Sequence, residues 1–194
     1  RIEGIFITHA HEDHVGAIGL TWDRLRAPIH TRRFTGLIAE RKLEERGADG
    51  AALNIAQPWP ETVQAGPFRV GFAPISHSIP ESSAMIIDTP KGRIVHTGDF
   101  KIDETPLVGE PFDWNMWRDI AADGVQALVC DSTNVFSPNP GRSEASIKPE
   151  LERMIAAQSG MVVATTFASN VARVKTLASA GAAAGRSIVL LGRA

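Results

Sequence analysis

The stretch Ile5-Phe6-Ile7-Thr8-His9-Ala10-His11-Glu12-Asp13-His14 carries the strongest structural and chemical signal in the chain. An apolar run of strand character passes directly into three histidines and two carboxylates within six positions. Histidine and carboxylate are the side chains that bind Zn²⁺ and similar divalent ions. Half of the six histidines of the chain lie in this segment. The pattern therefore predicts a strand over residues 2–8 with a metal site at its carboxyl end.

The spacing within this segment suits two ions. In an extended segment, residues i and i+2 point to the same side, so His9 and His11 can bind one ion together. After the chain bends, Asp13 and His14 can bind a second ion nearby. Two-metal hydrolases hold their ions ~3.5–4 Å apart, and an aspartate between the ions can bridge them.

Further ligands are expected at the ends of other strands. His77 follows the predicted strand 68–73, and Asp99 follows the apolar run that begins at Arg93. Gly98, directly before Asp99, allows a close approach of the backbone. His77 and Asp99 are therefore the candidates that complete the site. His96 lies inside the strand and is expected to be a core or supporting histidine rather than a ligand.

The composition is that of an ordinary globular protein. The 194 residues are 43% hydrophobic and 22% charged, and the formal net charge is −2. This charge argues against a generally basic nucleic-acid-binding surface, although a local basic groove stays possible. The single cysteine, Cys130, excludes an internal disulfide framework and fits a reducing cytosol; its apolar surroundings predict that it is buried. No apolar stretch approaches the roughly 20 residues that cross a bilayer, so we expect a cytoplasmic protein without a membrane partner.

The pattern along the chain is that of an α/β protein. Helices are predicted from Val15 to Leu20 and from Phe34 to Arg46, and a third from Ser143 to Gln158 with Ser143 as its N-cap. Short strands are predicted over residues 62–63, 68–73, 84–88, 93–97 and 125–131, the last of them buried. Residues 161–167, 169–184 and 187–191 read as a strand, a helix and a strand, a parallel βαβ unit. We therefore expect a mixed sheet first, a boundary near Ser159, and a parallel sheet beginning after it.

Five ordered segments are similar to one known family. They resemble the metallo-β-lactamase superfamily and, within its β-CASP group, the ribonuclease J family. The segments are His11-Glu12-Asp13-His14, His77-Ser78-Ile79-Pro80, His96-Thr97-Gly98-Asp99-Phe100-Lys101, Asp131-Ser132-Thr133-Asn134 and Thr166-Phe167-Ala168-Ser169-Asn170. The resemblance implies a partial metallo-β-lactamase-like αββα sandwich over residues 1–159, without its N-terminal part. It implies the beginning of a parallel βαβ β-CASP domain over residues 160–194.

The resemblance also assigns roles to single residues. It implies a first metal on His9, His11 and His77, a second on Asp13 and His14, and Asp99 as the bridge between them. The implied ions are two divalent metals, zinc first and manganese as the alternative; histidine-rich ligation independently favours zinc over magnesium. Asp13 would orient the attacking water or accept its proton, and Asp131 would orient a ligand or take part in proton transfer.

Four polar residues are candidates for contacts with RNA. Ser132 and Thr133 flank the position of Asp131 in the family pattern. Ser169 and Asn170 precede a predicted helix, where they can cap its N-terminus or meet an RNA phosphate there. The two interpretations of Ser169 and Asn170 are compatible with each other.

The implied function is a metal-dependent ribonuclease of RNA processing, including rRNA, and of RNA decay. It would act as a 5′-to-3′ exonuclease and an endonuclease on 5′-monophosphorylated single strands, in a homodimer or tetramer. A hydrolase of small thioesters or lactams is one alternative, but the βαβ unit and Asp131-Ser132-Thr133 argue against it. A catalytically inactive RNA-binding scaffold is another, but the intact ligand set argues against that.

Both ends of the chain carry an expectation of their own. The chain opens at Arg1 without a methionine and stops just after an apolar run, so we expect a piece of a longer protein. A complete enzyme of the family takes one more histidine for the second metal and a general-acid histidine from sequence beyond residue 194. The chain by itself is therefore expected to bind metal but not to cleave RNA efficiently.

Overall fold

The computed structural model describes residues 1–48, 51–139 and 141–192. Its strands are β1 (Ile5–Ile7), β2 (Ile29–Thr31), β3 (Leu53–Ile55), β4 (Thr62–Ala65), β5 (Phe68–Pro74), β6 (Ser83–Thr89), β7 (Gly92–His96) and β8 (Ala127–Val129). Its helices are α1 (Glu12–Val15), α2 (Ile18–Leu25), α3 (Arg33–Glu44), α4 (Trp114–Ala122), α5 (Lys148–Ala156) and α6 (Val171–Ala183). A 3₁₀ turn, Glu144–Ser146, precedes α5.

The first sheet contains three parallel strands in the order β1-β2-β3. Parallel neighbours need a crossover connection, and the segments that carry α2 and α3 provide it. These helices cover one face of the sheet. Ile7 and Ile29 pack there against Trp22 and Leu43, and all four side chains are buried. The strongly periodic sequence of α3, predicted over 34–46, thus forms the outer helical layer on this side.

The second sheet contains five strands in the order β4-β5-β6-β7-β8. Strands β4 to β7 pair antiparallel, β4 with β5 and β6 with β7 through short turns and β5 with β6 through the loop 75–82, whereas β8 pairs parallel with β7. Helix α4 covers its outer face, where Ile120 packs with Ile86 and Val95. This sheet is mixed, as the strand pattern predicted. Within the described residues, β1, β2 and β3 form a separate parallel sheet, because the helices between them allow parallel pairing with one another.

The two sheets pack face to face. Phe72 and Met85 of the second sheet form a buried cluster against which Phe6 of β1 packs. Phe6 also lies 6.1 Å from Phe72 between ring centroids and stacks on His30 of β2. Layers of helix, sheet, sheet and helix follow one another. The α/β prediction and the αββα sandwich are confirmed.

The prediction of a buried strand over 125–131 was wrong about burial. Strand β8 lies at the edge of the second sheet, and its Leu128 and Val129 are 62% and 51% exposed. Cys130, predicted to be buried, is exposed as well. An apolar run favours burial, but burial also needs a neighbouring element over that face, and the described residues supply none for β8.

The predicted βαβ unit is formed only in part. Helix α6 is present, but residues 161–167 and 187–191 are not in strands, and most of their apolar side chains are exposed. Strand formation depends on a pairing partner, which local sequence cannot supply. The boundary at residue 159 stays a prediction, and residues 193 and 194 lie outside the described part of the chain.

The segment before α6 follows its sequence pattern. The Ser143 hydroxyl accepts a hydrogen bond from the Ala145 N–H, so Ser143 caps the 3₁₀ turn before α5.

Among the helices described, none is long and apolar enough to cross a membrane.

Candidate metal centre

The histidine-rich segment lies where the two sheets meet. His9 and His11 follow β1 directly, and the short helix α1 carries Asp13 and His14. The connection between β5 and β6 carries His77, and the loop after β7 carries Asp99. The Ser83 N–H at the start of β6 donates a 3.1 Å hydrogen bond to the Thr8 carbonyl, which joins the two sheets at this edge.

Three histidines and one aspartate converge on one point. His9 Nε2 and His77 Nε2 each lie 3.1 Å from His11 Nδ1. Ligand atoms of His9, His11, His77 and Asp99 all lie within 4.8 Å of one another. Two nitrogens that bind one tetrahedral Zn²⁺ at ~2.05 Å are about 3.3 Å apart. The three histidines are thus spaced as ligands of one divalent ion.

A second set lies beside the first. Asp13, His14 and Asp99 also place ligand atoms within 4.8 Å of one another. His14 Nε2 is 3.3 Å from Asp99 Oδ1 and 3.6 Å from Asp13 Oδ2. The Asp99 carboxylate belongs to both sets, so the donors present fit two neighbouring cations with one shared ligand. The cluster is therefore suited to divalent metal.

Burial keeps His9 and His77 in the form that binds metal. Burial, followed by the neighbouring histidines, lowers the pKa of His9 to about 2. Burial and His11 lower the pKa of His77 to about 4, against the opposing effect of Asp99 and Asp131. Burial also lowers the pKa of His11. Metal ligation requires unprotonated imidazole, and His9 and His77 are unprotonated at neutral pH.

Thr8 orients one histidine of each set, a role that the sequence did not reveal. Its hydroxyl oxygen lies 3.0 Å from His9 Nδ1 and 3.4 Å from His14 Nδ1. Both rings then direct Nε2 toward the ligand sets. Gly98 has φ +59°, and a Cβ there would lie 3.1–3.3 Å from side-chain atoms of Thr8. The close approach predicted at Gly98 is thus present.

His96 has one of the two roles predicted for it. Its side chain is exposed, outside both ligand sets, and its Nδ1 accepts a 3.0 Å hydrogen bond from the Gly98 N–H. The core position, the other predicted role, is not adopted, because the strand ends at this residue. His96 supports the turn that carries Asp99.

Asp131 lies close to the site but outside both ligand sets. Its Oδ1 accepts a 2.8 Å hydrogen bond from the Thr133 N–H, and its own N–H donates to the Thr97 hydroxyl. Burial acts to raise the pKa of Asp131, but hydrogen bonds from Thr133 and the Phe100 N–H hold it below its usual value. Ser132 and Thr133 are exposed.

The beginning of α6 also reaches the site. The Asn170 side chain accepts a 2.9 Å hydrogen bond from the Arg173 N–H, so Asn170 is the N-cap, one of the two predicted roles. The exposed Ser169 presents its backbone carbonyl to the His11 ring, which partly offsets the lowering of the His11 pKa. The Ser78 hydroxyl lies 3.4 Å from His11 Nε2. No local pattern marks Ser78 as a contact of His11, because that contact depends on the packing of distant loops.

Comparison with known proteins identifies the family of the chain. Residues 1–129 match the model of the metallo-beta-lactamase superfamily. The chain therefore belongs to the metallo-β-lactamase superfamily. A protein of unknown function from Enterococcus faecalis V583 shares the fold, with a TM-score of 0.62, 18% identity, and coverage of 91% of this chain and 44% of that one.

Within the superfamily, the chain is similar to proteins named Ribonuclease J. The Sinorhizobium meliloti protein is 41% identical over 193 residues, which cover 99% of this chain and 34% of that protein. The Thermus thermophilus protein is 36% identical over 200 residues, which cover 100% of this chain and 35% of that protein. The chain thus spans about a third of the length of these relatives.

Proposed function

We propose that the chain is the metal-binding part of a metal-dependent ribonuclease that hydrolyses RNA phosphodiesters. The observation that carries the proposal is the pair of ligand sets that share Asp99. Similarity to Ribonuclease J over 99% of the chain directs this hydrolytic centre to RNA. Because the chain spans about a third of those relatives, the activity belongs to the proposal and not to the family assignment.

In this proposal, His9, His11, His77 and Asp99 hold one ion, and Asp13, His14 and Asp99 hold a second. Zinc is the first choice, because imidazole nitrogen predominates in the first set, and manganese is the second. When bound, such a pair of ions acidifies water to a pKa near 7 and stabilises charge on phosphate oxygens.

The residues of the chain supply orientation and proton transfer. Thr8 directs Nε2 of His9 and His14 toward the two sets. The Asp13 carboxylate is 77% exposed and lies at the open side, where it orients water or accepts its proton. Asp131 is held as a carboxylate by hydrogen bonds from Thr133 and Phe100. From the side of His77 it orients a ligand or takes part in proton transfer.

RNA contacts are proposed on the exposed residues around the centre. Ser132 and Thr133 lie beside Asp131, and Ser169 lies beside His11 at the start of α6. The Asn170 side chain caps α6. A contact between Asn170 and an RNA phosphate is a further part of the proposal. The proposed activity is 5′-to-3′ exonuclease and endonuclease cleavage of 5′-monophosphorylated single strands, in rRNA processing and RNA decay. We further propose that a β-CASP domain begins at residue 160, that the protein forms a homodimer or tetramer, and that it is located in the cytoplasm.

The test combines metal content with RNA cleavage. Protein expressed from the complete gene is analysed by mass spectrometry for bound metal and is incubated with a 5′-monophosphorylated RNA. We expect two divalent ions per chain, and RNA cleavage that an Asp99→Asn variant loses. Bound metal without cleavage by the parent protein would favour an inactive RNA-binding scaffold. Hydrolysis of thioesters but not RNA would favour a small-molecule hydrolase.

A further inference from the structure

Helix α6 contacts the loops that hold the candidate metal ligands. The Ala172 N–H, in the first turn of α6, donates a 3.4 Å hydrogen bond to the Ser78 carbonyl. N–H groups in the first turn of a helix have no partner within the helix, so a loop carbonyl is a suitable acceptor. The hydroxyl of the same Ser78 lies 3.4 Å from His11 Nε2. The start of α6 thus reaches His11 through Ser78 as well as through the Ser169 carbonyl, which contacts the same ring.

A partly buried ion pair holds this helix in place. Arg173 Nη2 lies 3.0 Å from Glu144 Oε1, and Arg173 Nε lies 3.2 Å from Glu144 Oε2. The Glu144 side chain is 9% exposed and that of Arg173 is 32% exposed. A two-pronged pair of this kind fixes orientation as well as distance. Arg173 follows Ala172 directly, so the pair fixes the turn of helix that contacts Ser78.

The same pair is connected to the loop after Asp99. Lys101 Nζ lies 3.9 Å from Glu144 Oε1 and 3.3 Å from Asp103 Oδ2. The Lys101 N–H donates a 2.9 Å hydrogen bond to the carbonyl of Ser76, the neighbour of His77. Glu144 is therefore shared between α6 and the segment that carries Asp99. Loops of both ligand sets meet at this cluster.

We propose that Arg173 is a positioning residue for metal binding: its pair with Glu144 holds the start of α6 against Ser78, which fixes the His11 ring with Nδ1 toward His9 and His77. The proposal rests on the metal centre of the proposed function and adds a residue from the segment after 160 to it. The His11 ring is placed accordingly, because Nδ1 faces the two other histidines while Nε2 faces Ser78. Groups that hydrogen-bond the far nitrogen of a metal-binding histidine set its tautomer and ring orientation.

The test measures Co²⁺ binding to the 194-residue chain by visible absorption, which reports affinity and ligand geometry together. Replacing a partner behind a ligand typically lowers metal affinity by 10–100-fold, so Arg173→Gln is expected to lower Co²⁺ affinity at least about tenfold and to change the spectrum. Arg173→Lys is expected to recover part of both. Lys175→Gln is the matched control, because it removes one positive charge from the exposed side of the same helix and a 3.3 Å hydrogen bond to the Leu107 carbonyl, outside both ligand sets. It should keep the parent affinity within about twofold.

Unchanged Co²⁺ affinity and spectrum in Arg173→Gln would overturn the proposal, even if the metal-free variant unfolded at a lower temperature. Should Arg173→Gln fail to fold, Ser78→Ala decides, because it removes only the hydroxyl beside His11: a weaker, altered Co²⁺ spectrum supports the proposal and an unchanged one overturns it. A parent chain that binds no Co²⁺ would refute the metal centre and this inference together. A complete enzyme that binds metal but cleaves no RNA would refute only the proposed ribonuclease.

Discussion

The Thr8 hydroxyl contacts one histidine of each ligand set. It lies 3.0 Å from His9 Nδ1 and 3.4 Å from His14 Nδ1, and Thr8 itself is 8% exposed. If both Nδ1 atoms carry the proton, both Nε2 atoms are free to bind metal, and one hydroxyl oxygen accepts both hydrogen bonds. In that tautomer, a single buried side chain orients one histidine in each of the two ligand sets.

Replacing Thr8 with valine should weaken metal binding without creating a cavity, because the two side chains have nearly the same shape. We expect a loss of affinity of about 10–100-fold, the usual effect of removing a group that orients a ligand. Thr8→Ser keeps the hydroxyl and serves as the control. The measurement is competitive titration with a zinc chelator. Equal affinities of the valine and serine variants would show that the hydroxyl has no orienting role.

The shared position of Asp99 leads to a prediction about stoichiometry. Asp99→Asn should weaken both ions, because Asp99 belongs to both sets, whereas Asp13→Asn should weaken only the second. Zinc bound per chain is measured by mass spectrometry after desalting. Asp13→Asn is expected to retain one ion and Asp99→Asn fewer. Asp23→Asn, which changes an exposed carboxylate outside both sets, is the control. Two ions retained by Asp13→Asn would contradict the assignment.

At the scale of elements, the turn after β7 determines where Asp99 lies. Gly98 has φ +59°, and its missing side chain leaves room for Thr8. Gly47, after α3, has nearly the same φ of +60° but nothing within 4 Å of a Cβ. Any other residue at either position would be strained by the left-handed conformation. Of the two positions, residue 98 is the one where a side chain would also collide with a neighbour, Thr8.

Gly98→Ala should therefore destabilise the chain more than Gly47→Ala. The left-handed conformation of alanine costs roughly 1–2 kcal/mol at either position. The methyl group at residue 98 must additionally displace Thr8, so we expect a larger loss of stability and weaker zinc binding there. Urea unfolding of the metal-free variants measures the first effect, and chelator titration the second. Equal losses of stability would show that Thr8 gives way without cost.

The sequence predicted those elements whose signal is local. Short apolar runs separated by glycine and proline located β4 to β7, and the run before His9 located β1, so the strand ends that precede His77 and Asp99 were placed correctly. The predictions for β8, Cys130 and residues 161–167 depended on what covers or pairs with them. The roles of Thr8, Ser78 and Arg173 were missed. Ser78 and Arg173 contact residues that are distant in sequence, and the role of Thr8 depends on ring orientations that residue spacing does not specify.

At the scale of the molecule, the centre lies at the edge where the two packed sheets meet, and it places a buried histidine, His9, beside three partly buried ones. His9 is 1% exposed, and its pKa is lowered to about 2, whereas that of His77 is lowered to about 4. In the unfolded chain both titrate near 6.5. Without metal, the folded state therefore excludes protons that the unfolded state accepts.

This imbalance predicts that the metal-free chain loses stability as the pH falls below 6.5. The unfolded state gains protons in this range and the folded state does not until about pH 4 for His77 and about pH 2 for His9, so unfolding becomes more favourable. Below pH 6.5, each such histidine lowers the free energy of unfolding by up to about 1.4 kcal/mol per pH unit. Above pH 6.5 it adds no pH dependence. The lowered pKa values of Asp103 and Asp131 act only below about pH 4, outside this window.

Urea unfolding of the metal-free chain at intervals between pH 5 and 8 measures the effect. We expect a free energy of unfolding that is constant above pH 7 and falls toward pH 5, by on the order of 2 kcal/mol for one fully shifted histidine. His77→Gln keeps a polar side chain but removes one titrating group, so its slope between pH 5 and 6.5 should be shallower than that of the parent. A parent chain that is equally stable at pH 5 and pH 7 would contradict this prediction, because it would mean that His9 and His77 accept protons in the folded state as readily as in the unfolded state.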